Sequence, residues 1–198
     1  MILPKSFYNA STVRVAQRLL GCFLVHDSPQ GRTTGRIVET EAYLAEGDPA
    51  CHASRGKTKR NAPMFGPPGR SYIYFIYGMY YCFNVVTGAE DRGEAVLIRA
   101  LEPVAGLDLM AQRRHTSNVH QMCSGPAKLV LAMGITPQLN NTCLRTSALR
   151  VFSPDSFKRE YQKPRTTPIV RAPRVGIACA KDLPLRFFLK DSEFVSRR

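Results

Sequence analysis

Tryptophan is missing altogether, and acidic residues are scarce: 15 Asp and Glu face 28 Lys and Arg, a formal net charge of +13. A pI near 9.8 predicts attraction to polyanions, meaning DNA, RNA or acidic lipid. No apolar run reaches the length of a membrane span, which excludes a transmembrane helix. No C-x-x-C pair occurs among Cys22, Cys51, Cys82, Cys123, Cys143 and Cys179, so a zinc ribbon and a dithiol redox motif are excluded. The N-terminus, Met-Ile-Leu-Pro-Lys-Ser, lacks the basic segment and long apolar stretch of a secretory signal. The thiols are therefore expected to be free, in a reducing compartment. Repeats and an evident linker are absent too. The 198 residues, 44% of them hydrophobic, suffice for one domain, 1–198, with a substantial core.

What the chain does have is tyrosine in one place. Five of its eight tyrosines fall in Ser71-Tyr-Ile-Tyr-Phe-Ile-Tyr-Gly-Met-Tyr-Tyr-Cys-Phe-Asn84. The pattern predicts a hairpin of Tyr72–Ile76 and Tyr80–Val86, with Tyr77-Gly78-Met79 at its tip, where glycine supplies the unusual backbone angles. Aromatic rings on a strand of a basic protein offer a stacking surface for bases, each worth roughly 1–3 kcal/mol. Around it the sequence predicts a helix over Thr12–Leu20, with Val13, Ala16, Leu19 and Leu20 apolar and Gly21 as its stop. It also predicts a strand over Cys22–His26, a turn over Asp27–Arg32, a longer strand after it through about Tyr43, and a further strand over Ala95–Leu101. Further helices are expected over Val104–Arg114 and Pro126–Met133. Late strands are expected over Leu149–Phe152, Val175–Ala180 and Leu185–Leu189. Ala45–Gly69 reads as a functional loop, and Gln162–Pro173 as a basic, proline-rich one.

Chemistry concentrates in Arg36-Ile-Val-Glu-Thr-Glu-Ala-Tyr43. Alternation puts Ile37, Glu39, Glu41 and Tyr43 on one face of a strand. Either the two carboxylates lie on a solvent-facing edge, or they are buried and need a partner. Arg99, in the middle of the apolar strand Val96–Leu101, needs a partner as well, and a Glu on a neighbouring strand would satisfy both. The pair could be structural, or it could hold a carboxylate base ready for catalysis. His52 sits in the long loop; with Glu41, Glu46 and Asp48 it could also form a carboxylate-rich Mg²⁺ site of the nuclease type. Lys57, Lys59, Arg60, Arg113, Arg114 and Lys128 are candidate phosphate contacts, or simply a solvated basic surface. The start of the helix after Ser124-Gly125 would also favour an anion. Tyr77, at a hairpin tip with no core to fill, could wedge between base pairs.

These residues also carry a resemblance. Gly35–Leu44, Met64-Phe65, Tyr72–Tyr80, Leu97–Pro103, Cys123–Leu129, Arg174-Val-Gly176 and Leu185-Arg-Phe187 resemble ordered blocks of the alkyladenine (3-methyladenine, methylpurine) DNA glycosylases. The resemblance implies an α+β fold: a single mixed domain with a curved antiparallel β-sheet flanked by helices and a protruding DNA-intercalating β-hairpin. It implies Glu41 as the group that activates water, Arg99 as its orienting partner, and Tyr43, His52, Tyr74 and Asn84 around the extruded base. Tyr77 would fill the gap left in the helix, with Met64 and Leu97 beside it, and Arg60 and Lys128 would contact the DNA backbone. The implied partner is double-stranded DNA containing damaged purines. The implied enzyme is a monomer inside the cell that needs no metal or other cofactor, makes no membrane contact and does not cut the strand. Cys51 stands where a small alanine is expected. The competing readings are a metal-dependent nuclease and a non-catalytic binder of damaged DNA.

Overall fold

The computed structural model describes residues 1–157, 161 and 167–197. Their framework is an eight-stranded sheet. In chain order, helices α1 (Lys5–Tyr8) and α2 (Thr12–Leu19) precede β1 (Phe23–Ser28) and β2 (Gly31–Tyr43). After the long loop come β3 (Ser71–Ile76), β4 (Tyr80–Thr87) and β5 (Glu94–Ala105). Helices α3 (Leu107–Arg114), α4 (Val119–Met122) and α5 (Pro126–Met133) follow, then β6 (Leu149–Phe152), β7 (Ile169–Ala172) and β8 (Arg186–Leu189). The strands lie in the order β3-β4-β5-β2-β1-β6, with β8 on β2 and β7 on β8. All pairings are antiparallel. The β2–β5 ladder changes register at Thr34/Gly35, Ile37/Glu39 and Glu39/Thr40, and such bulges bend and twist a sheet. The architecture is the α+β class expected: a curved antiparallel sheet with helices packed on it.

One face of the sheet carries the main core. Helix α2 buries Thr12, Val15, Ala16 and Leu19, the spacing of a single helical stripe. Val13, expected on that stripe, is only partly buried. The stripe lies on β2 and β5, and the Thr40 hydroxyl donates to the Ala16 carbonyl at 2.9 Å. Helix α5 packs Leu129, Val130, Ala132 and Met133 into the same core, over β4 and β5. Full burial of a Leu or Val is worth about 1.5–3 kcal/mol. A second, smaller cluster of Cys51, Ala53, Met64, Tyr72, Val86 and Ala95 lies under the long loop, with Tyr43, Phe65 and Tyr74 against it. The loop is thus fastened by its own apolar residues, including a short 3₁₀ turn over Ala62–Phe65.

Several expectations are corrected. The strict alternation from Ile37 to Tyr43 is broken by the bulges: Ile37 joins Val38 and Ala42 in the main core. β5 runs on through Val104 and Ala105, so α3 begins only after Gly106, which has φ +75. Val175–Ala180 is not a strand; its backbone has another use, described below. The late strand is instead Ile169–Ala172, inside the stretch Gln162–Pro173 read as a loop, of which 162–166 lie outside the described residues. All six cysteines are free.

Candidate active site

Strands β2 and β5 set Glu39 beside Ala100 and Glu41 beside Leu97. Neither carboxylate has any exposed surface, so they are not edge acids. Burying two such charges is costly unless each is paired and hydrogen-bonded. Arg99 of β5 does both: its Nε lies 3.1 Å from Glu39 Oε1 and its Nη1 3.2 Å from Glu41 Oε1. The Val175 N–H donates to Glu41 Oε1 at 2.8 Å, and the Tyr43 hydroxyl to Glu41 Oε2 at 2.9 Å. Arg99 Nη1 also reaches the Val175 carbonyl at 3.4 Å. Burial raises the Glu41 pKa; Arg99, the Val175 amide and Tyr43 pull it back, and Glu39 adds a smaller upward push. The outcome is a carboxyl above its ordinary range, held in one orientation.

This group lies behind a cleft of about 770 Å³ lined by Tyr43, His52, Tyr74, Tyr77, Arg99 and Val175, among others. A recess of about 20 Å³ continues between Tyr43, His52, Met64, Tyr72, Tyr74 and Asn84. The aromatic walls brace one another: His52 meets Tyr74 edge-on at 4.5 Å, and Tyr72 and Tyr74 lie 5.3 Å apart. His52 Nδ1 and the Tyr72 hydroxyl share a hydrogen bond of 2.9 Å. Burial, with Arg60 nearby, lowers the His52 pKa and favours the neutral ring. The Asn61 side chain donates to the His52 carbonyl at 2.8 Å and fixes the loop there. Asn84 donates to the Tyr72 carbonyl at 3.1 Å across the hairpin. Leu97 and Met64 are buried, Leu97 against the cleft and Met64 against the recess.

At the rim the hairpin tip is bare. Tyr77 is 82% exposed and Met79 64%. Tyr77 has φ +50 and Gly78 φ +68, so a tyrosine occupies a left-handed conformation that L-residues rarely adopt. Arg60 donates to the Phe75 carbonyl at 2.8 Å and tethers the loop to the hairpin. Lys128 reaches Ser124 Oγ at 3.5 Å in the first turn of α5, whose Pro126 lines the cleft. Lys57 and Lys59 are exposed. Arg113 and Arg114 are different from what the sequence led us to expect: they donate to the Ala132 and Met122 carbonyls and close helix ends.

The acids proposed as a metal site are not brought together. Glu46 is exposed beside Arg92. Asp48 is bound by both Arg174 Nη atoms at 2.6 Å. Among the described residues no group of three His, Cys, Asp or Glu could hold an ion. Arg174 also lies 4.6 Å from the Tyr43 ring centroid and donates to the Ala42 carbonyl, so it supports the cleft wall from behind. Cys51 is buried beside His52, its thiol 3.6 Å from the Gly93 carbonyl.

Sequence reasoning missed four participants: Arg174, Val175, Arg186 and Ser196. The last two bind Glu39, through Arg186 Nε at 2.6 Å, Ser196 N–H at 2.6 Å and Ser196 Oγ at 3.0 Å. Arg186 interrupts the apolar run Leu185–Leu189 much as Arg99 interrupts its own strand, and that was the available signal.

The family model described as methylpurine-DNA glycosylase (MPG) matches residues 6–193. A protein of Methanoculleus marisnigri, provisionally named a 3-methyladenine DNA glycosylase, is 56% identical over 200 aligned residues, covering 100% of both chains. Similarly named proteins of Carboxydothermus hydrogenoformans and Francisella tularensis are 48% and 44% identical, covering 100% and 98% of each chain. With the match spanning almost all of its length, the chain belongs to the methylpurine-DNA glycosylase family.

Proposed function

We propose that this protein is a monofunctional DNA glycosylase that flips alkylated or otherwise damaged purines out of duplex DNA and hydrolyses the N-glycosidic bond. The observation that carries this reading is a fully buried carboxylate, Glu41, fixed by Arg99, the Val175 amide and Tyr43 behind an aromatic cleft. Its three contacts use three of the roughly four lone-pair directions of a carboxylate. The fourth can accept a proton from the water that attacks C1′, and the charge stabilises the oxocarbenium-like transition state. A base in a duplex is out of reach of such a group, so it must swing out at a cost of a few kcal/mol. Tyr77, bare at the hairpin tip, offsets part of that cost by entering the gap.

Specificity follows from the walls. Cationic N3- and N7-alkylpurines are drawn to the faces of Tyr43 and Tyr74 by roughly 0.5–2 kcal/mol, and their glycosidic bonds are already weak. Neutral lesions such as hypoxanthine and etheno-adenine need the His52 main-chain N–H as donor to an acceptor at purine position 6. Adenine presents a donor there and is mismatched. Asn84 stands against the 2-amino group of guanine. Among the described residues no lysine lines the cleft, which supports a reaction without a Schiff-base step or strand cleavage.

The test is single-turnover incubation with duplexes containing 3-methyladenine, 7-methylguanine or hypoxanthine, in EDTA. Free base and an abasic site in an uncut strand are expected. Glu41→Gln should lose at least about a hundredfold in rate and keep its affinity for the lesion duplex. Cut strands that depend on Mg²⁺ would favour a nuclease, and binding without base release would leave a damaged-DNA binder. Either result overturns the proposal.

A further inference from the structure

The catalytic carboxylate does not have Arg99 to itself. The guanidinium is divided, Nε on Glu39 at 3.1 Å and Nη1 on Glu41 at 3.2 Å, so the two acids compete for one cation. Taken alone, this trio carries a net negative charge in a buried site. The Val175 amide and the Tyr43 hydroxyl donate to Glu41, and Glu39 collects a separate set of donors. Those donors come from the end of the chain. Arg186, on β8 opposite Glu41 in register, sends its Nε diagonally to Glu39 at 2.6 Å. Ser196 adds its amide at 2.6 Å and its hydroxyl at 3.0 Å, and that hydroxyl also accepts from Arg99. Arg186 in turn donates to the Arg197 carbonyl, and Phe194 stacks on His120 at 4.7 Å, so the tail is fastened on both sides. The result is two carboxylates and two guanidiniums in one buried cluster, balanced in charge.

We propose that Arg186, together with the tail residue Ser196, is a positioning device that satisfies Glu39 and so releases half of Arg99 to hold Glu41 as a carboxylate. The inference rests on Glu41 being the base, and it assigns the working pH of that base to a residue that does not touch it. Without the second cation, Glu39 draws Arg99 toward itself and Glu41 is left desolvated with less of its counter-charge. Glu41 then ionises only at higher pH. The other groups facing Glu41 do not replace Arg99. Tyr43 of β2, Tyr74 of β3 and Cys82 of β4 are neutral groups that gain charge only by losing a proton. Arg174 is engaged by Asp48.

The experiment is the pH profile of single-turnover excision for four proteins: wild type, Arg186→Gln, Glu39→Gln and the double variant. Excision requires ionised Glu41, so each profile rises through an acid limb. Arg186→Gln should move that limb up by about one pH unit, which is about a tenfold loss of rate on the limb, with a smaller loss at high pH. Glu39→Gln should move it down, because Glu41 gains the whole of Arg99. The double variant restores one acid to one arginine and should bring the limb back toward wild type. Melting temperature and lesion-duplex affinity are measured beside each profile. Opposite shifts with mutual rescue establish the positioning role. Lower melting temperatures with unmoved limbs overturn it, and so does a double variant whose limb stays at the Arg186→Gln value. If Arg186→Gln does not fold, the charge-balanced double variant and Glu39→Gln still decide the matter. Glu41→Gln separates the two layers: excision at the wild-type rate means that the assignment of the base has failed, and the account of Arg186 with it, whereas lost excision in Glu41→Gln with unmoved limbs in the other variants means that only the account of Arg186 has failed.

Discussion

Glu41 is at odds with its surroundings, and the conflict is measurable in two directions. Burial raises its pKa by more than Arg99, Val175 and Tyr43 lower it. A base works only when ionised, so excision should climb with pH through a limb lying above the ordinary Glu value of about 4.3. Stability has the opposite sign. A carboxyl whose folded pKa is raised favours folding while it is protonated, and that contribution is lost as pH rises through the folded value. Glu41→Gln should therefore melt at or above the wild-type temperature at pH 8, with the difference shrinking toward pH 4, where the native side chain is neutral too. Calorimetry across that range checks it. A Gln variant that melts well below wild type at pH 8 would mean that the Arg99 ion pair outweighs desolvation. His52 shows the same logic with the other sign: burial favours its neutral ring, which suits a wall beside cationic bases.

The hairpin of β3 and β4 separates function from stability in a single element. Tyr77 is exposed and left-handed, so its ring contributes nothing to the core and its backbone is strained. Tyr77→Ala should impair excision several-fold or more without lowering the melting temperature, while Tyr77→Gly should be more stable than Tyr77→Ala by up to about 1 kcal/mol. Equal losses of melting temperature and activity in the Ala variant would contradict a wedge. The junction of β5 and α3 behaves differently. A Cβ on Gly106 would stand 2.3 Å from the Arg32 carbonyl at φ +75, so Gly106→Ala should cost about 3 kcal/mol in denaturant unfolding. These two sites also show what the sequence made legible. The hairpin, β2, α2 and α5 announce themselves by alternation, helical spacing and glycine stops. Helices α1 and α4, of four residues each, are too short to show a period. Val175–Ala180 looked like a strand because it is small and apolar, but the amide and carbonyl of Val175 go to Glu41 and Arg99, which no local pattern encodes. Glu39, Glu41 and Arg99 were readable as charges in need of partners. Arg186 carries the same signal, but nothing local names its partner 147 residues away, and Ser196, 157 residues from Glu39, carries none.

Taken whole, the molecule pairs its buried acids with arginines and leaves a run of cations bare beside the cleft. Asp48, Glu39, Glu94 and Asp27 each face an arginine, while every residue from Ser54 to Arg60 in the loop beside the cleft is exposed. A net charge of +13 arranged in this way should bind duplex DNA through its phosphates whether or not a lesion is present. Binding of undamaged duplex should weaken linearly on a log–log plot against salt, with a slope of about −0.9 for each phosphate neutralised. Lys57→Ala and Lys59→Ala should each make the slope shallower by about one unit and weaken lesion and undamaged duplexes alike. Tyr77→Ala should do the reverse, reducing the preference for lesion DNA at an unchanged slope, because a ring between bases displaces no counterions. Fluorescence anisotropy across about 50–200 mM salt distinguishes the two; at six phosphate contacts the affinity would fall about a thousandfold over that range. Should the loop variants leave the slope alone while changing only lesion preference, the loop would be part of the pocket wall and the phosphate contacts would have to be sought around α5, where Lys128 lies in the first turn.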